Sequence, residues 1–269
     1  MSERVPVVLS IAGSDSGGGA GIQADLKAFA RCGVHGTTAI TAITAQSTVA
    51  VDAVEPIAPE MIRAQVRSVA GDLGVDAVKI GMVGGAAAIE AVAQALDELP
   101  AGTPVVLDPV MVAESGGRLL PQDAEDALRT RLVPRATVVT PNLAEARVLA
   151  RAGAEASAEE LARAIHALGA HVVVVTGGHR QEATDVLFDG REIVELPGER
   201  HPDGAAHGSG CTHSSVLAAR LALGDDPVEA ARVAREVASA AVRDGLRELG
   251  AGAGPVNVLG VGRLSTTVP

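Results

Sequence analysis

The sequence predicts an α/β fold with a mainly parallel central sheet and helices on both faces. Short apolar runs alternate with longer stretches of helical periodicity along most of the chain. The short runs are mostly apolar, as is typical of strands covered on both faces. With 269 residues and 47% hydrophobic content, the chain suits one large domain, and we expect residues 1–269 to form it because no repeat or linker interrupts the alternation.

Each element follows from its local pattern. Short runs rich in valine, isoleucine and leucine predict strands at 7–11, 37–43, 77–80, 105–107, 137–139 and 172–175. Apolar residues at helical spacing predict helices at 21–31, 59–70, 86–99, 121–131, 143–151 and 158–168. A hairpin is expected from 185–188 and 192–196 around an Asp-Gly turn, followed by two long helices. Residues 49–54 are expected to add a small strand over the site, as a lid element.

The charge balance bears on partners. Lys and Arg number 22 against 33 Asp and Glu, so the net charge of −11 repels nucleic acid and anionic membrane surfaces. The cysteines, Cys32 and Cys211, have no disulfide or metal-ligand spacing, which favours a cytoplasmic protein. The longest uncharged stretch, 32–51, contains too many polar residues to span a membrane, and the first apolar run lacks the flanks of a secretion signal.

A small-residue loop at 207–212, HGSGCT, precedes an apolar run that is typical of a helix. Its glycines allow backbone N–H groups to approach an oxyanion, and the helix start adds unpaired donors. Cys211 then lies where an acceptor hydroxyl meets a transferring phosphoryl group. Taken alone, the loop is equally well explained as a glycine turn before a helix with a small buried cysteine.

A second glycine-rich loop, 13–21, follows the first strand and suits close backbone approach to a ligand. It does not fit the Gly-x-Gly-x-x-Gly fingerprint of dinucleotide-binding proteins, and the chain has no P-loop motif. The amide of Gln46 is able to pair with a ring nitrogen beside an exocyclic amine, and Asp25 is able to accept a hydrogen bond from a hydroxyl or amine. Both residues are also explained without a ligand, Gln46 as an amide in a loop and Asp25 as a carboxylate on the surface of a helix.

Polar residues follow two further strands at the edge where ligands of such sheets collect. Asp108 ends the strand at 105–107, and Asn142 and Glu145 follow the strand at 137–139. Carboxylates placed in this way hold hydrated Mg²⁺ through one or two protein ligands. Asn142 and Glu145 also fit a helix capping box, and both interpretations hold together.

The combined motifs resemble the hydroxymethylpyrimidine/phosphomethylpyrimidine kinases of thiamine biosynthesis. The resemblance extends over nearly the whole chain and rests on AGSDSGGGAGIQADLK at 12–27, TAITAQ at 41–46, KIGM at 79–82, LDPVMVA at 107–113, TPN at 140–142 and HGSGCT at 207–212. It implies a ribokinase-like fold and phosphorylation of 4-amino-5-hydroxymethyl-2-methylpyrimidine to the monophosphate and then the diphosphate, with ATP and Mg²⁺. It also implies a homodimer.

Carried over by position, the resemblance implies four groups of site residues. The pyrimidine would be held by Gly13, Ala20, Asp25, Gln46, Met82 and Val110. The nucleotide would be bound by Asn142, Thr176, Gly178 and Thr212, with the adenine near the C-terminal helices. Mg²⁺ and the phosphates would be organised by Asp108 and Glu145. Catalysis would use the anion hole of Gly208, Ser209 and Gly210, with Cys211 in the position of an aspartate base in related sugar kinases.

Two positions depart from the family pattern. Thr176 stands where many members have lysine, which removes a positive partner for the nucleotide phosphates, and pyridoxal kinases of the superfamily commonly carry threonine there. His213 occupies a helix position that is usually apolar. A pyridoxal or pyridoxine kinase is therefore the nearest alternative. A non-catalytic pyrimidine-binding module and, least favoured, a nicotinamide-dependent oxidoreductase are the others.

Overall fold

A computed structural model of the chain describes residues 4–112, 116, 119–177 and 183–262. Its strands are β1 (Val7–Ala12), β2 (His35–Ile40), β3 (Ala42–Gln46), β4 (Val51–Pro56), β5 (Ala77–Ile80), β6 (Val105–Leu107), β7 (Val138–Val139), β8 (Val172–Val175), β9 (Asp185–Phe188) and β10 (Ile193–Leu196). Eight of them form one sheet in the order β10-β9-β8-β7-β6-β5-β1-β2, and β3 pairs with β4 in a second. The prediction of an α/β fold around a mainly parallel sheet is confirmed.

The order of the main sheet fixes where a ligand collects. All neighbours from β2 to β8 are parallel, and β9 and β10 add an antiparallel hairpin at one edge. From β1 the chain proceeds to β2 on one side, whereas β5 and the strands after it lie on the other. The carboxyl ends of β1 and β5 therefore flank a crevice at which parallel sheets of this kind bind their ligands.

Helices cover both faces of the main sheet. They are α1 (Gly21–Arg31), α2 (Pro59–Asp72), α3 (Ala86–Asp97), the single turn α4 (Glu125–Ala127), α5 (Leu143–Ala150), α6 (Ala158–His166), α7 (Ser209–Ala222) and α8 (Pro227–Arg243). Ile62, Ile89 and Leu161 belong to one buried core, formed with α2, α3, α5 and α6. Phe29 and Leu217 belong to the other, formed with α1, α7 and α8. None of the helices in the described ranges is both long and apolar enough to cross a membrane.

The single strand predicted at 37–43 is wrong in one respect, because the structure divides it. β2 ends at Ile40, the chain leaves the main sheet at Thr41, and β3 continues as half of the small antiparallel sheet with β4. The N–H of Thr41 still donates to Ala12 of β1, whereas its carbonyl accepts from Ile57, which follows β4. A change of sheet without a break in apolar pattern explains why the sequence predicts one strand.

The regular helix predicted at 121–131 is also corrected. The structure has short turns of different pitch at Gln122–Ala124, α4, Leu128–Leu132 and Val133–Arg135, of which Leu128–Leu132 is a π turn. The buried residues Ala124, Leu128 and Leu132 keep one face of the segment in the core. Their spacing of four residues does not distinguish these helix types, because all of them return to a similar face after about one turn.

Candidate active site

A cleft of about 1130 Å³, its open mouth included, lies at the carboxyl edge of the parallel strands. Its walls come from the loops after β1, β5, β6, β7 and β8 and from the N-terminus of α7. It brings together most of the residues that the sequence singles out, namely Gly13, Ala20, Gln46, Met82, Asp108, Val110, Asn142, Glu145, Thr176, Gly208, Ser209, Gly210 and Cys211. Gln46 and Cys211 therefore share one cleft, although they are far apart in sequence.

Asp25 is not part of this lining, which corrects the expectation that its carboxylate holds the pyrimidine. It is fully buried beneath the cleft. Its Oδ2 accepts a hydrogen bond from the Ser10 hydroxyl at 2.6 Å. Its Oδ1 accepts from Lys79 Nζ at 2.8 Å and from the Ser215 hydroxyl at 2.7 Å. Because both oxygens are engaged inside the protein, Asp25 belongs to the support of the site rather than to its surface.

Two expected nucleotide-binding residues stay predictions. Thr212 is fully buried in α7, and its side chain does not line the cleft. Its hydroxyl oxygen has no hydrogen-bond partner among the described residues. Gly178 lies outside the described residues.

One wall of the cleft is the start of α7. Gly208 has φ +84°, a left-handed conformation that favours glycine, and an added Cβ would lie 1.7 Å from the carbonyl oxygen of Gly19. The N–H of Ser209 donates to Ala206, and the described residues provide no acceptor for the N–H groups of Gly210 and Cys211. Free N–H groups at a helix N-terminus bind anions, so this turn is suited to phosphoryl oxygens.

Cys211 lies partly exposed in the wall of the cleft. Burial raises the pKa of its thiol to about 12, although the ammonium of Lys79 opposes this shift. Asp108 and Asp25 raise the pKa of the thiol further, and a hydrogen bond from the Gly21 backbone lowers it. In the free protein Cys211 is therefore a neutral thiol at physiological pH.

Asp108 and Glu145 place two buried carboxyl groups on one side of the cleft. Glu145 accepts from the backbone N–H groups of Asn142 at 2.9 Å and Met111 at 3.4 Å, and Asn142 caps α5 in return, so the expected capping box is present. Burial, followed by the charge of Asp108, raises the pKa of Glu145 to about 8. Burial also raises the pKa of Asp108, while Lys79 and the hydroxyl of Ser214 oppose that shift.

Another part of the cleft has a small apolar floor and one amide. A Cβ on Gly13 would lie 2.1 Å from Met82 Cε, so a side chain at position 13 would displace the methionine methyl group. Gln46 ends β3 at a register shift, and its backbone exchanges hydrogen bonds with the Ser16 hydroxyl at 2.6 and 2.7 Å. Its side-chain oxygen lies 3.4 Å from the Thr44 hydroxyl. This anchoring places an amide beside the floor.

The sequence reasoning missed a pair that joins the two glycine-rich loops. Asp15 Oδ2 accepts from His207 at 2.9 Å and from the N–H groups of Gly19 and Ala20 at 3.0 and 2.8 Å. Burial raises the pKa of Asp15, but the hydrogen bonds, that of His207 first, outweigh it and lower the pKa. An aspartate within a glycine-rich turn is the available signal, because such side chains commonly accept from nearby backbone N–H groups.

The comparisons with known proteins identify the family. A family model described as phosphomethylpyrimidine kinase matches residues 15–257. The chain belongs to this family. A hydroxymethylpyrimidine/phosphomethylpyrimidine kinase of Rhizobium meliloti is 51% identical to this family member over 257 residues, which cover 93% of this chain and 96% of the relative.

Solved structures of pyridoxal kinases are also similar to this phosphomethylpyrimidine kinase family member. An ADP complex of the Bacillus subtilis pyridoxal kinase has a TM-score of 0.86 and 40% identity over 94% of this chain and 97% of that one. A Staphylococcus aureus pyridoxal kinase in complex with AMP-PCP and pyridoxal has a TM-score of 0.86 and 32% identity, covering 97% and 96%. The ribokinase-like fold implied by the resemblance is thereby confirmed.

The two departures from the family pattern both lie in the cleft. Thr176 follows β8, and His213 is a buried residue of α7 that lines the cleft. Its Nε2 lies 3.5 Å from Asp185 Oδ2, and Arg235 Nη1 lies 3.6 Å from Asp185 Oδ1. Burial lowers the pKa of His213. The negative charge of Asp185 raises this pKa, and the positive charge of Arg235 lowers it further. His213 is thus a buried neutral residue beside an ion pair.

Proposed function

We propose that this protein phosphorylates 4-amino-5-hydroxymethyl-2-methylpyrimidine with ATP, first to the monophosphate and then to the diphosphate, in thiamine biosynthesis. One observation carries the proposal: the amide of Gln46 and the anion-binding turn at Gly208–Cys211 line the same cleft. Family membership supports it. The decisive assay incubates the purified protein with ATP, Mg²⁺ and the aminopyrimidine alcohol and resolves both products over time. Absence of the monophosphate would refute the proposal.

The pyrimidine is proposed to lie on the floor formed by Gly13, Ala20, Met82 and Val110, with Gln46 at its edge. An amide donates and accepts at once, which complements a ring nitrogen beside an exocyclic amine. The hydroxymethyl group then faces α7. Asp25 supports this region from below and makes no contact with the substrate in this proposal.

Gln46→Met is expected to raise the KM for the aminopyrimidine by about 10–100-fold with a smaller change in kcat. The substitution leaves the substrate amine without its partner, which costs roughly 1–3 kcal/mol in a desolvated site. Ser47→Ala is a matched control, because Ser47 is exposed and, among the described residues, its hydroxyl bonds only within its own turn. Steady-state kinetics measure both variants. An unchanged KM in Gln46→Met would contradict the assignment of Gln46.

The phosphoryl group is proposed to move across the start of α7. The hydroxyl oxygen bonds to the γ-phosphorus as the bond from that phosphorus to the bridging oxygen of ATP breaks and ADP leaves. The N–H groups of Gly210 and Cys211 face the charge on the transferring oxygens, and the hydroxyl proton passes to Cys211 when that residue is a thiolate. Because the thiol has a pKa of about 12, positioning and hydrogen bonding contribute more than proton removal.

Cys211→Ala is expected to slow the first transfer more than the second. The first acceptor is an alcohol that must lose a proton, whereas the second acceptor is already an anionic phosphate. Single-turnover rates on the alcohol and on its monophosphate measure the two losses separately. Equal losses on the two substrates would contradict this division of roles.

Asp108 and Glu145 fit a Mg²⁺ site. Both carboxyl groups are buried, the charge of Asp108 raises the pKa of Glu145, and hard oxygen ligands are those that Mg²⁺ prefers. The described residues contain no cluster of three or more metal-ligating side chains, so the remaining ligands would be nucleotide phosphates and water. When bound, Mg²⁺ would neutralise the phosphate charge that develops during transfer. Asp108 is held toward α7 by the Ser214 hydroxyl at 3.0 Å.

ATP is proposed to extend from this pair toward the C-terminal helices. Asn142 and Thr176 lie side by side after β7 and β8 and form an isolated bridge, so both reach the same part of the cleft. Ala238 of α8 lines the cleft as well, in agreement with an adenine near the C-terminal helices. The similar pyridoxal kinases bind ADP or AMP-PCP, which supports use of ATP. Gly178 and Thr212 remain predictions for this end.

Phosphorylation of pyridoxal is the second candidate function, favoured by the similar pyridoxal kinase structures and by Thr176. Parallel assays with pyridoxal and the aminopyrimidine alcohol compare the two through kcat/KM. A protein that binds the pyrimidine without ATP turnover would instead be a non-catalytic binding module.

We also propose that residues 1–269 act as one domain, in a cytoplasmic homodimer. Light scattering tests the dimer.

A further inference from the structure

A buried ion pair lies directly beneath the anion-binding turn. Lys79 of β5 and Asp25 of α1 are both fully buried, and their charged atoms are 2.8 Å apart. Ser10 of β1 and Ser215 of α7 complete the hydrogen bonds of Asp25. The pair therefore connects the two central strands of the switch point with the helix that carries Cys211, without reaching the cleft itself.

Stability alone is a poor explanation for this pair. Desolvation of two buried charges offsets much of their attraction, and apolar residues of similar volume are often equally stabilising. The other three residues of β5, Ala77, Val78 and Ile80, are fully buried and apolar, so an apolar side chain at position 79 would match its surroundings. A lysine here calls for a role that a neutral side chain lacks.

The pair lies against the face of α7 that carries Cys211. Ser215, whose hydroxyl donates to Asp25 Oδ1 at 2.7 Å, comes four residues after Cys211 and therefore shares its face of the helix. Lys79 Nζ lies 2.8 Å from the same oxygen of Asp25, and its ammonium opposes the rise in the pKa of the Cys211 thiol. Gly81 leaves room for this arrangement, because an added Cβ would lie 2.7 Å from Lys79 Nζ.

We propose that Lys79 is a positioning residue for phosphoryl transfer, whose buried ammonium stabilises negative charge at Cys211 and is held in place by Asp25. The charged groups that face Cys211 are Lys79 from β5, Asp25 from α1 and Asp108 after β6. Of these, Lys79 is the cation. The role in transfer rests on the proposed function, in which Cys211 receives the proton of the acceptor hydroxyl, whereas the effect on the charge of Cys211 does not.

The test measures the charge at Cys211 without any substrate. The chain has two cysteines, so Cys32→Ala leaves Cys211 as the one thiol. Its rate of alkylation by iodoacetamide is followed across the pH range in which the thiol ionises, because the thiolate is the reacting form. In this background Lys79→Met is expected to slow alkylation at a fixed pH by about tenfold or more, which corresponds to one unit of thiol pKa.

Asp25→Asn is the matched variant, and it is expected to slow alkylation less than Lys79→Met does. It removes the anion that keeps the buried lysine charged, but it also removes an anion that faces Cys211. A role in packing alone would leave the apparent thiol pKa unchanged in both variants, and that result overturns the proposal. A rate in Lys79→Met equal to or above that of the parent also overturns it.

A double variant guards against loss of folding, because Lys79→Met alone leaves Asp25 charged and unpaired. Lys79→Met/Asp25→Asn removes both charges, and alkylation of this protein is expected to remain slower than that of the parent, because Lys79 lowers the pKa of the Cys211 thiol more strongly than Asp25 raises it. A rate equal to or above that of the parent would overturn the proposal. Because iodoacetamide requires neither ATP nor pyrimidine, failure of the kinase assay would leave this result standing, and the reverse also holds.

Discussion

Gly210→Val is expected to abolish phosphoryl transfer to both acceptors while the protein remains folded. Gly210 is exposed in the first turn of α7, and an added Cβ meets only Asp108 Oδ2, at 4.0 Å. The backbone therefore tolerates a side chain there. The valine methyl groups would occupy the space in front of the N–H donors and exclude the phosphoryl oxygens. Since loss of one such donor costs roughly 10²–10³-fold in kcat, we expect a loss of at least about 10³-fold.

Two further glycines make this result interpretable. Gly71 lies exposed in α2 with nothing within 4 Å of an added Cβ, so Gly71→Val introduces the same side chain into a helix far from the cleft and is expected to retain activity. Gly208→Ala is expected to unfold the loop, because its Cβ would collide with Gly19. Thermal unfolding and rates on both acceptors are measured for all three variants. Turnover of Gly210→Val near the parent level would exclude an anion hole at this turn.

The fold was largely predictable because its strands are short, apolar and bounded by turns. β5, β6 and β8 begin and end at the predicted residues, since each is a short run buried on both faces. The change of sheet at Thr41 was not predictable, because an alternating pattern records which side is buried and not which strand is the neighbour. The type of helix at 122–135 was not predictable either, because the spacing of its buried residues fits several helical pitches.

The gathering of residues in one cleft was predictable where motifs follow strands of the main sheet, since the carboxyl ends of parallel strands converge. Gly13 after β1 and Asp108 after β6 are examples. Asp25 was not predictable, because its partner Lys79 is distant in sequence. A lysine inside an apolar strand indicates that some buried anion must accompany it. A single sequence does not show which carboxylate is that anion. The motif around Asp25 suggested instead that Asp25 binds the substrate.

Glu145→Gln is expected to stabilise the metal-free protein and to impair catalysis. The amide keeps the capping box, which accepts glutamine as well as glutamate. Because burial and then Asp108 raise the pKa of Glu145 from 4.5 to about 8, folding favours its protonated form. The stability that this carboxyl contributes is fully present below pH 4.5 and is lost as the pH rises toward about 8. The gain from Glu145→Gln therefore grows over this interval.

Two measurements separate these opposite effects. Thermal unfolding without Mg²⁺ is expected to show a Tm gain of about 3 °C or more at the upper end of the interval, since one unit of pKa shift is worth about 1.4 kcal/mol. Titration of the kinase reaction with Mg²⁺ is expected to show an apparent affinity about 10–100-fold weaker than in the parent. A parent-like Mg²⁺ dependence would remove Glu145 from the proposed metal site.

Glu160→Gln supplies the matched control, because Glu160 occupies the same capping-box position at the start of α6. This side chain is exposed, and its hydrogen bonds with Ser157 lower its pKa instead of raising it. A carboxyl with a lowered pKa contributes stability above its unfolded value and loses it in acid, so Glu160→Gln is expected to bring no gain at neutral pH. It is also expected to leave the Mg²⁺ dependence unchanged. A Tm gain in both variants would assign the effect to capping, whereas a gain confined to Glu145→Gln assigns it to the buried charge beside Asp108.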